Sequence, residues 1–299
     1  MTAATDSRST PTPLRIDRGL LLRRRLGSAL GWTLFGLFFG MLAFALLDIV
    51  HMVLVRGLPA LRWDLFTRPT NGVSGGLKNA IIGTLSLTFG SLLLAAPIGI
   101  FGGIYVSEYR SSAFARSVRF LSDVLVGVPS IVFGLFGYLT MVSAMGWQFS
   151  MLAGCITLAL MIAPYILRTT ELAFRGVPPE LHEAAYALGA GHATVVFKVM
   201  LRACGNRVLT GLLLAMAISM GETAPLIYTV DWSNYVWSGH LTHEPVAYLT
   251  YVIWSFINEP FDSAHALAYA AALLITVFTL LITLTARLSL SYFSTRHPH

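Results

Sequence analysis

Residues 79–106, NAIIGTLSLTFGSLLLAAPIGIFGGIYV, run from Asn79 to Val106 without one charged side chain. An α-helix needs about 20 mostly apolar residues to cross the hydrocarbon core of a bilayer, where its backbone polar groups must be satisfied within the segment. Five further stretches meet that length and composition: 28–54, 120–143, 148–167, 208–230 and 264–287. The expected architecture is therefore an all-α integral membrane protein with six transmembrane helices. Residues 1–27 read as a cytosolic, disordered N-tail, 57–78 as an external loop, 171–207 as a cytosolic loop and 288–299 as a cytosolic C-tail. No small-residue cleavage site follows the first apolar run, so that run reads as a retained span and not a signal peptide.

Composition agrees. The chain is 56% hydrophobic and 11% charged, against roughly 25% charged residues in soluble domains. Its net charge of +6 sits beside apolar runs instead of on a solvated face, so it points to membrane orientation and not to nucleic acid. An even number of spans places both termini on one side, and the excess of Lys and Arg identifies that side. Arg8, Arg15, Arg18, Arg23, Arg24 and Arg25 precede the first span. Arg110, Arg116 and Arg119 lie between spans two and three, and Arg168, Arg175, Lys198, Arg202 and Arg207 between four and five. The opposite side holds Arg56, Arg62, Arg68 and Lys78. Both termini are expected in the cytosol of a bacterial cell, with the chain multi-pass in the cytoplasmic (inner) membrane and in contact with lipid.

Residues 231–263 on the outer side carry Trp232, Tyr235, Trp237, Tyr248, Tyr251 and Trp254. Such amphipathic rings suit the headgroup layer. They fit either a structural aromatic belt or a contact for an external partner. The apolar piece from Val246 to Ile257 is too short to span and reads as an interfacial or re-entrant helix. Cys155 and Cys204 are far apart and form no metal or redox motif, so they read as packing residues.

On the cytosolic side, residues 178–202 form a half-polar segment with two short helices expected around a break. Pro178 and Pro179 suit a helix start, Glu180 and Glu183 suit the positive end of its dipole, and Gly189 and Gly191 suit its end. Ala184, Ala185 and Ala187 leave backbone accessible. Such a helix can either dock a soluble partner or cap the chain's own helix ends.

The pattern Glu183-Ala184-Ala185, Gly189, Val199 and Leu201 resembles the EAA loop of ABC import permeases, in which the loop forms the helix that couples to the ATPase. Gly127-Val-Pro129-Ser130-Ile-Val-Phe-Gly134-Leu-Phe-Gly137, Arg168-Thr-Thr-Glu171 and Gly221-Glu222-Thr223-Ala-Pro225-Leu226 are similar to segments of phosphate-import (Pst system) permeases, the last of the A-type subunit. With Gly75-Gly76 the resemblance covers residues 57–290. It implies a type I ABC importer permease architecture, a second phosphate permease subunit (C-type), two cytosolic ATPase subunits and an external phosphate-binding protein. ATP would be bound by the ATPase subunits. The chain has no Gly-x-x-x-x-Gly-Lys-Ser/Thr loop, no nucleophile elbow and no His-Glu-x-x-His, so no cofactor or catalytic site of its own is expected. Two positions depart from the family pattern: Arg202 stands where Pro is usual, and Ile218 where an Arg is common.

For coupling to the ATPase the resemblance implicates Glu183, Ala184, Ala185, Gly189 and Leu201. For the translocation path or gate the candidates are Arg168, Glu171, Glu222, Thr223, Pro129 and Ser130. A carboxylate well inside a span, as expected for Glu222, costs about 2.5–3.5 kcal/mol by insertion scales and faces a bundle interior or aqueous path. It reads either as paired to a cation, in this chain or a second permease, or as bonded to backbone or a Ser/Thr hydroxyl. Arg168 and Glu171, three apart on a helix, are close enough to pair, and a guanidinium held by a carboxylate can be released to a competing oxyanion. Pro129 in mid-span frees backbone groups that a cavity or a neighbour must satisfy. Gly99-x-x-x-Gly103 reads as a packing face. Alternatives from the sequence are a permease for another oxyanion such as sulfate or molybdate, and a gradient-driven secondary transporter with Glu222 as proton carrier.

Overall fold

The computed structural model describes residues 18–294, with side chains described for residues 23–288. Residues 1–17 and 295–299 of the expected tails lie outside the described residues. Residues 1–52 and 53–299 form two units. Among the described residues the first unit is a single helix, α1 (Arg18–Gly57, continuing five residues into the second unit), of 40 residues. Residues 18–27, read as disordered tail, are therefore helical, because Leu and Arg are good helix formers and neither Pro nor a turn signal intervenes after Arg18.

The second unit opens with a 3₁₀ turn (Leu58–Ala60), a short α2 (Trp63–Thr67) and a two-residue hairpin, β1 (Thr70–Asn71) with β2 (Ser74–Gly75), paired antiparallel with Thr70 opposite Gly75. The expected external loop thus has its own structure, a small exception to an all-α chain. Asn79 holds it in place: its buried Oδ1 accepts from the Thr70 amide at 3.0 Å, and its Nδ2 donates to the Ser233 carbonyl at 2.9 Å.

Five helices are long and apolar enough to cross a membrane. They are α1, α3 (Lys78–Glu108), α6 (Met151–Arg175), the helix ending in α9, and α12 (Asp262–Ser294). The expected single span at 120–143 is instead a bent pair, α4 (Ala113–Val126) and α5 (Ser130–Gly137, continued as π-helix to Ala144), meeting at 100°. Pro129 explains the break: it has no N–H to donate and forces the preceding residue out of helical geometry. The second short helix expected in 178–202 is likewise not separate. After α7 (Pro179–Ala187), the chain runs from α8 (His192–Thr194) through π-helix (Val195–Met200) into α9 (Leu201–Gly221) as one helix. The expected span 208–230 ends early at Gly221, and after Glu222 and Thr223 a short α10 (Ala224–Thr229) follows. Residues 288–294, read as C-tail, belong to α12.

At the centre, α6 buries most of its length and packs on α3. Glycines permit the approach. A Cβ at Gly99 would sit 2.6 Å from Ile166 side-chain carbons, and one at Gly103 2.6 Å from the Leu167 carbonyl oxygen, which bears out the packing face read at these two positions. Cys155 and Cys204 are free, buried and in separate apolar clusters. The piece read as interfacial is α11 (Leu249–Phe256), whose Leu249, Val252 and Phe256 are buried in one cluster with α12 and α3. It is a core element rather than one lying flat on a surface. The aromatic group divides accordingly: Trp232 stacks on Tyr251 with centroids 5.0 Å apart, whereas Tyr235 and Trp254 are exposed.

Candidate functional site

Three features carry the residues singled out by sequence, and the first is a caged carboxylate. Glu171, near the end of α6, has no exposed surface. Arg168, one turn before it, donates to Oε2 at 3.0 Å, and Arg175, one turn after it, pairs with Oε1. Arg119 reaches across from α4, its Nε donating to Oε1 at 2.9 Å, and also bonds the Val106 carbonyl on α3 at 3.4 Å. Helical spacing explains the two intrahelical partners, since residues three and four apart share a face. The expected Arg168–Glu171 pair forms, but as part of a larger group. Three guanidinium groups surround one carboxylate, leaving a surplus of positive charge and of planar N–H donors at the partly exposed arginines, a surface suited to an oxyanion. Arg175 was visible as a favourable Glu-to-Arg spacing of four. Arg119 was counted only toward charge bias, since nothing in the sequence brings it to α6.

The second feature is formed where the α4–α5 break meets the α9–α10 break. Pro129 caps α5 in extended geometry, and Glu222 ends α9 the same way. The Ser130 side chain hydrogen-bonds the Glu222 carboxylate, and Thr250 donates to the Glu222 carbonyl at 2.8 Å. Gly134 lets α5 lie against α10, where a Cβ would stand 2.7 Å from Pro225 Cα. Thr223 begins α10 as its cap, its carbonyl accepting from the Leu226 and Ile227 amides. Among the described residues Glu222 forms no ion pair; within this chain its neighbour is a hydroxyl. Beside it lies a cleft of about 190 Å³ lined by Thr84, Thr88, Ser219, Glu222, Tyr248 and Thr250 with apolar walls of Leu87, Leu158 and Leu226.

The third feature is α7. It ends in a Schellman motif, with the Ala190 amide donating to the Ala185 carbonyl at 3.2 Å and the Gly189 amide to Tyr186 at 2.9 Å. Gly189 adopts φ +79°, the left-handed conformation that motif requires and that side chains disfavour. Ala185 is buried in a cluster with Ile104, Phe174 and Val195, while Glu183, Ala184 and Ala187 are exposed. One face thus caps the chain's own helix ends and another faces outward. The expectation that all three alanines leave backbone accessible is corrected at Ala185. His182 lies 3.6 Å from Glu108, and the Tyr186 hydroxyl 2.7 Å from His192 Nδ1, which hold α7 to the ends of α3 and α8. Leu188, 89% exposed, is the residue the sequence reading missed; an apolar residue immediately before the capping glycine was its signal. Leu201, by contrast, is half-buried at the start of α9.

A multi-span helical bundle with a broken pair of helices and an outward-facing helix on a connecting loop is the fold of an importer permease. It superposes on a chain of an inward-facing MetNI methionine ABC transporter with TM-score 0.61, at 18% identity, over 72% of this chain and 95% of that one. The chain belongs to the family described as binding-protein-dependent transport system inner membrane component, whose model matches residues 77–296, and it is accordingly a multi-pass protein of the inner membrane. It is 40% identical over 96% of its length, and 95% of the relative's, to a protein of Mycobacterium bovis named phosphate transport system permease protein PstA 2. It is 42% identical to the phosphate transport system permease protein PstA of Haemophilus influenzae, over 80% of this chain and 85% of that one.

Proposed function

We infer that this chain is the A-type permease subunit of an ATP-driven phosphate importer. The observation that carries this reading is the near-full-length match to relatives named as phosphate permeases. The caged Glu171, with more cationic donors than its carboxylate uses, supports an anion as cargo. The second permease subunit, two ATPase subunits and an external phosphate-binding protein complete the assembly in this reading. Both termini face the cytosol, in keeping with the basic side of the loops.

ATP binding closes the ATPase pair and moves α7, through Glu183, Ala184 and the exposed tip before Gly189, while the buried Ala185 face transmits that movement to α3, α6 and α9. Such coupling requires that the ATP-bound state favour one arrangement of the spans by differential contacts, and the outer face of α7 is where these contacts are made. Arg168, Glu171 and their neighbours form an inner gate: phosphate competes with the carboxylate for bidentate guanidinium donors. Pro129, Ser130, Glu222 and Thr223 form the flexible point of the path, where two spans break. Selectivity rests chiefly with the external binding protein.

The test is to purify the tagged chain from native membranes in mild detergent and identify what remains bound. Retention of an ATPase and a related permease, with phosphate uptake lost when the chain is deleted and restored by its return, is expected. A homo-oligomer without ATPase, under conditions that preserve a control importer, would sink the reading. In the same strain, Glu222→Gln is expected to lower radiolabelled phosphate uptake at least about tenfold, a barrier change of about 1.4 kcal/mol, with the amount of inserted chain unchanged. Wild-type uptake would remove Glu222 from the path.

A further inference from the structure

We propose that the cleft beside the α9–α10 break binds a single small monovalent cation of the size and hardness of Na⁺. Four observations converge on it. Glu222 brings a carboxylate into the cleft, and among the described residues no cationic side chain pairs with it. Glu222 also ends α9, a helix of 21 residues, whose C-terminal dipole adds negative potential at the same point. Neutral oxygens complete the lining: Thr84, Thr88, Ser219, Tyr248 and Thr250. Finally, Tyr248 is 1% exposed and its hydroxyl has no hydrogen-bond partner, although buried hydroxyls are nearly always satisfied.

The neighbouring hydrogen bonds show that the cleft is built. Thr84 accepts from the Leu249 amide at 2.8 Å, which fixes the backbone next to Tyr248. Ser219 and Ser91 share a hydrogen bond of 2.9 Å, so the Ser219 hydroxyl keeps a free lone pair. Leu87, Leu158 and Leu226 exclude bulk water from the other walls.

The donor set selects the ligand class. One carboxylate repels an anion. Divalent Ca²⁺ or Mg²⁺ calls for more carboxylate charge or a larger retained water shell than this narrow cleft offers. Transition metals favour imidazole or thiolate, and no group of three or more His, Cys, Asp or Glu side chains that could hold a metal occurs among the described residues. A neutral water would leave the carboxylate charge uncompensated between apolar helices, an expensive arrangement. A monovalent cation with one carboxylate and several neutral oxygens balances charge and geometry together, as broken helices in other membrane proteins do with their C-terminal ends. By bridging α3, α9 and the segment before α11, the ion ties the break in α9 to its surroundings.

This inference is independent of phosphate, ATPase and partner permease, so its test uses the purified full chain alone. Thermal unfolding is followed in NaCl, KCl and N-methylglucamine chloride at equal ionic strength. Na⁺ is expected to raise the midpoint by about 3 °C at concentrations well above its Kd, saturably. Glu222→Gln is expected to erase the Na⁺ increment whatever its own baseline, and Tyr248→Phe to raise the half-saturating Na⁺ concentration several-fold. Equal midpoints for the unsubstituted chain in all three salts would overturn the proposal and leave a water in the cleft. An increment that survives Glu222→Gln overturns it as well. Should Glu222→Gln fail to accumulate, Tyr248→Phe decides: an unchanged half-saturation rejects the site.

Discussion

Replacing Glu171 by Leu is expected to lower the stability of the inserted chain by about 3 kcal/mol and to abolish phosphate uptake. Glu171 has no exposed surface, and three arginines from α4 and α6 converge on it. Removing one partner of a buried ion pair typically costs about 3–5 kcal/mol, because the remaining charges stay partly desolvated and unpaired. The lower end applies here, since Arg119, Arg168 and Arg175 retain 24%, 44% and 31% of their side-chain exposure and water recovers part of the loss. Arg168→Ala, at the most exposed partner, is expected to cost no more than about 1 kcal/mol. Arg119→Ala is expected to fall between them, since Arg119 alone joins α4 to α6 and to a carbonyl of α3. A double-mutant cycle between Arg119 and Glu171, read by thermal unfolding, should return a coupling of about 1.5–3 kcal/mol. Additive effects would show the contact to be energetically idle. Uptake separates structure from gating: Arg168→Lys keeps the charge but loses the planar fork, so it should preserve stability and reduce transport.

The contrast between Arg168 and Arg119 shows what the sequence could and could not convey. Helical periodicity is local, so the apolar runs and the Arg168–Glu171 spacing were legible from sequence alone, and the Gly189 end of α7 followed from its left-handed requirement. Arg119 lies 52 residues from Glu171, and its arrival depends on the 100° bend at Pro129, which turns α4 away from the path of α5. The proline was noticed, yet an apolar run of spanning length reads as one helix because hydropathy does not register direction. The fifth span was misjudged for the same reason. Glu222 was expected inside a helix, whereas it ends one, and its extended backbone places the carboxylate beside Ser130 and the hydroxyl-lined cleft. The two segments that resemble phosphate permeases turn out to meet each other, Gly134 against Pro225, a juxtaposition that only tertiary structure supplies.

Leu188→Asp is expected to disconnect transport from ATP hydrolysis without loosening the chain. Leu188 is 89% exposed, so its side chain adds almost nothing to the stability of the isolated subunit, and unfolding midpoints should shift by no more than about 1 °C for a surface change within about 0.5 kcal/mol. Full burial of a leucine in a partner groove contributes about 1.5–3 kcal/mol. A charge placed there forfeits that gain and adds a desolvation penalty. Together these correspond to at least about a hundredfold weaker ATPase association. Ala185 provides the internal control. It lies on the opposite, buried face of the same short helix, so Ala185→Leu should destabilise the α7 attachment by overpacking, at about 1–3 kcal/mol, and Leu188→Asp should not. Copurified ATPase per permease and uptake would both collapse in Leu188→Asp with an unaltered midpoint. Retention of the ATPase would mean that the docking surface lies elsewhere on the cytosolic side. A loss of thermal stability would mean that Leu188 supports its own chain and that its exposure does not mark the coupling contact.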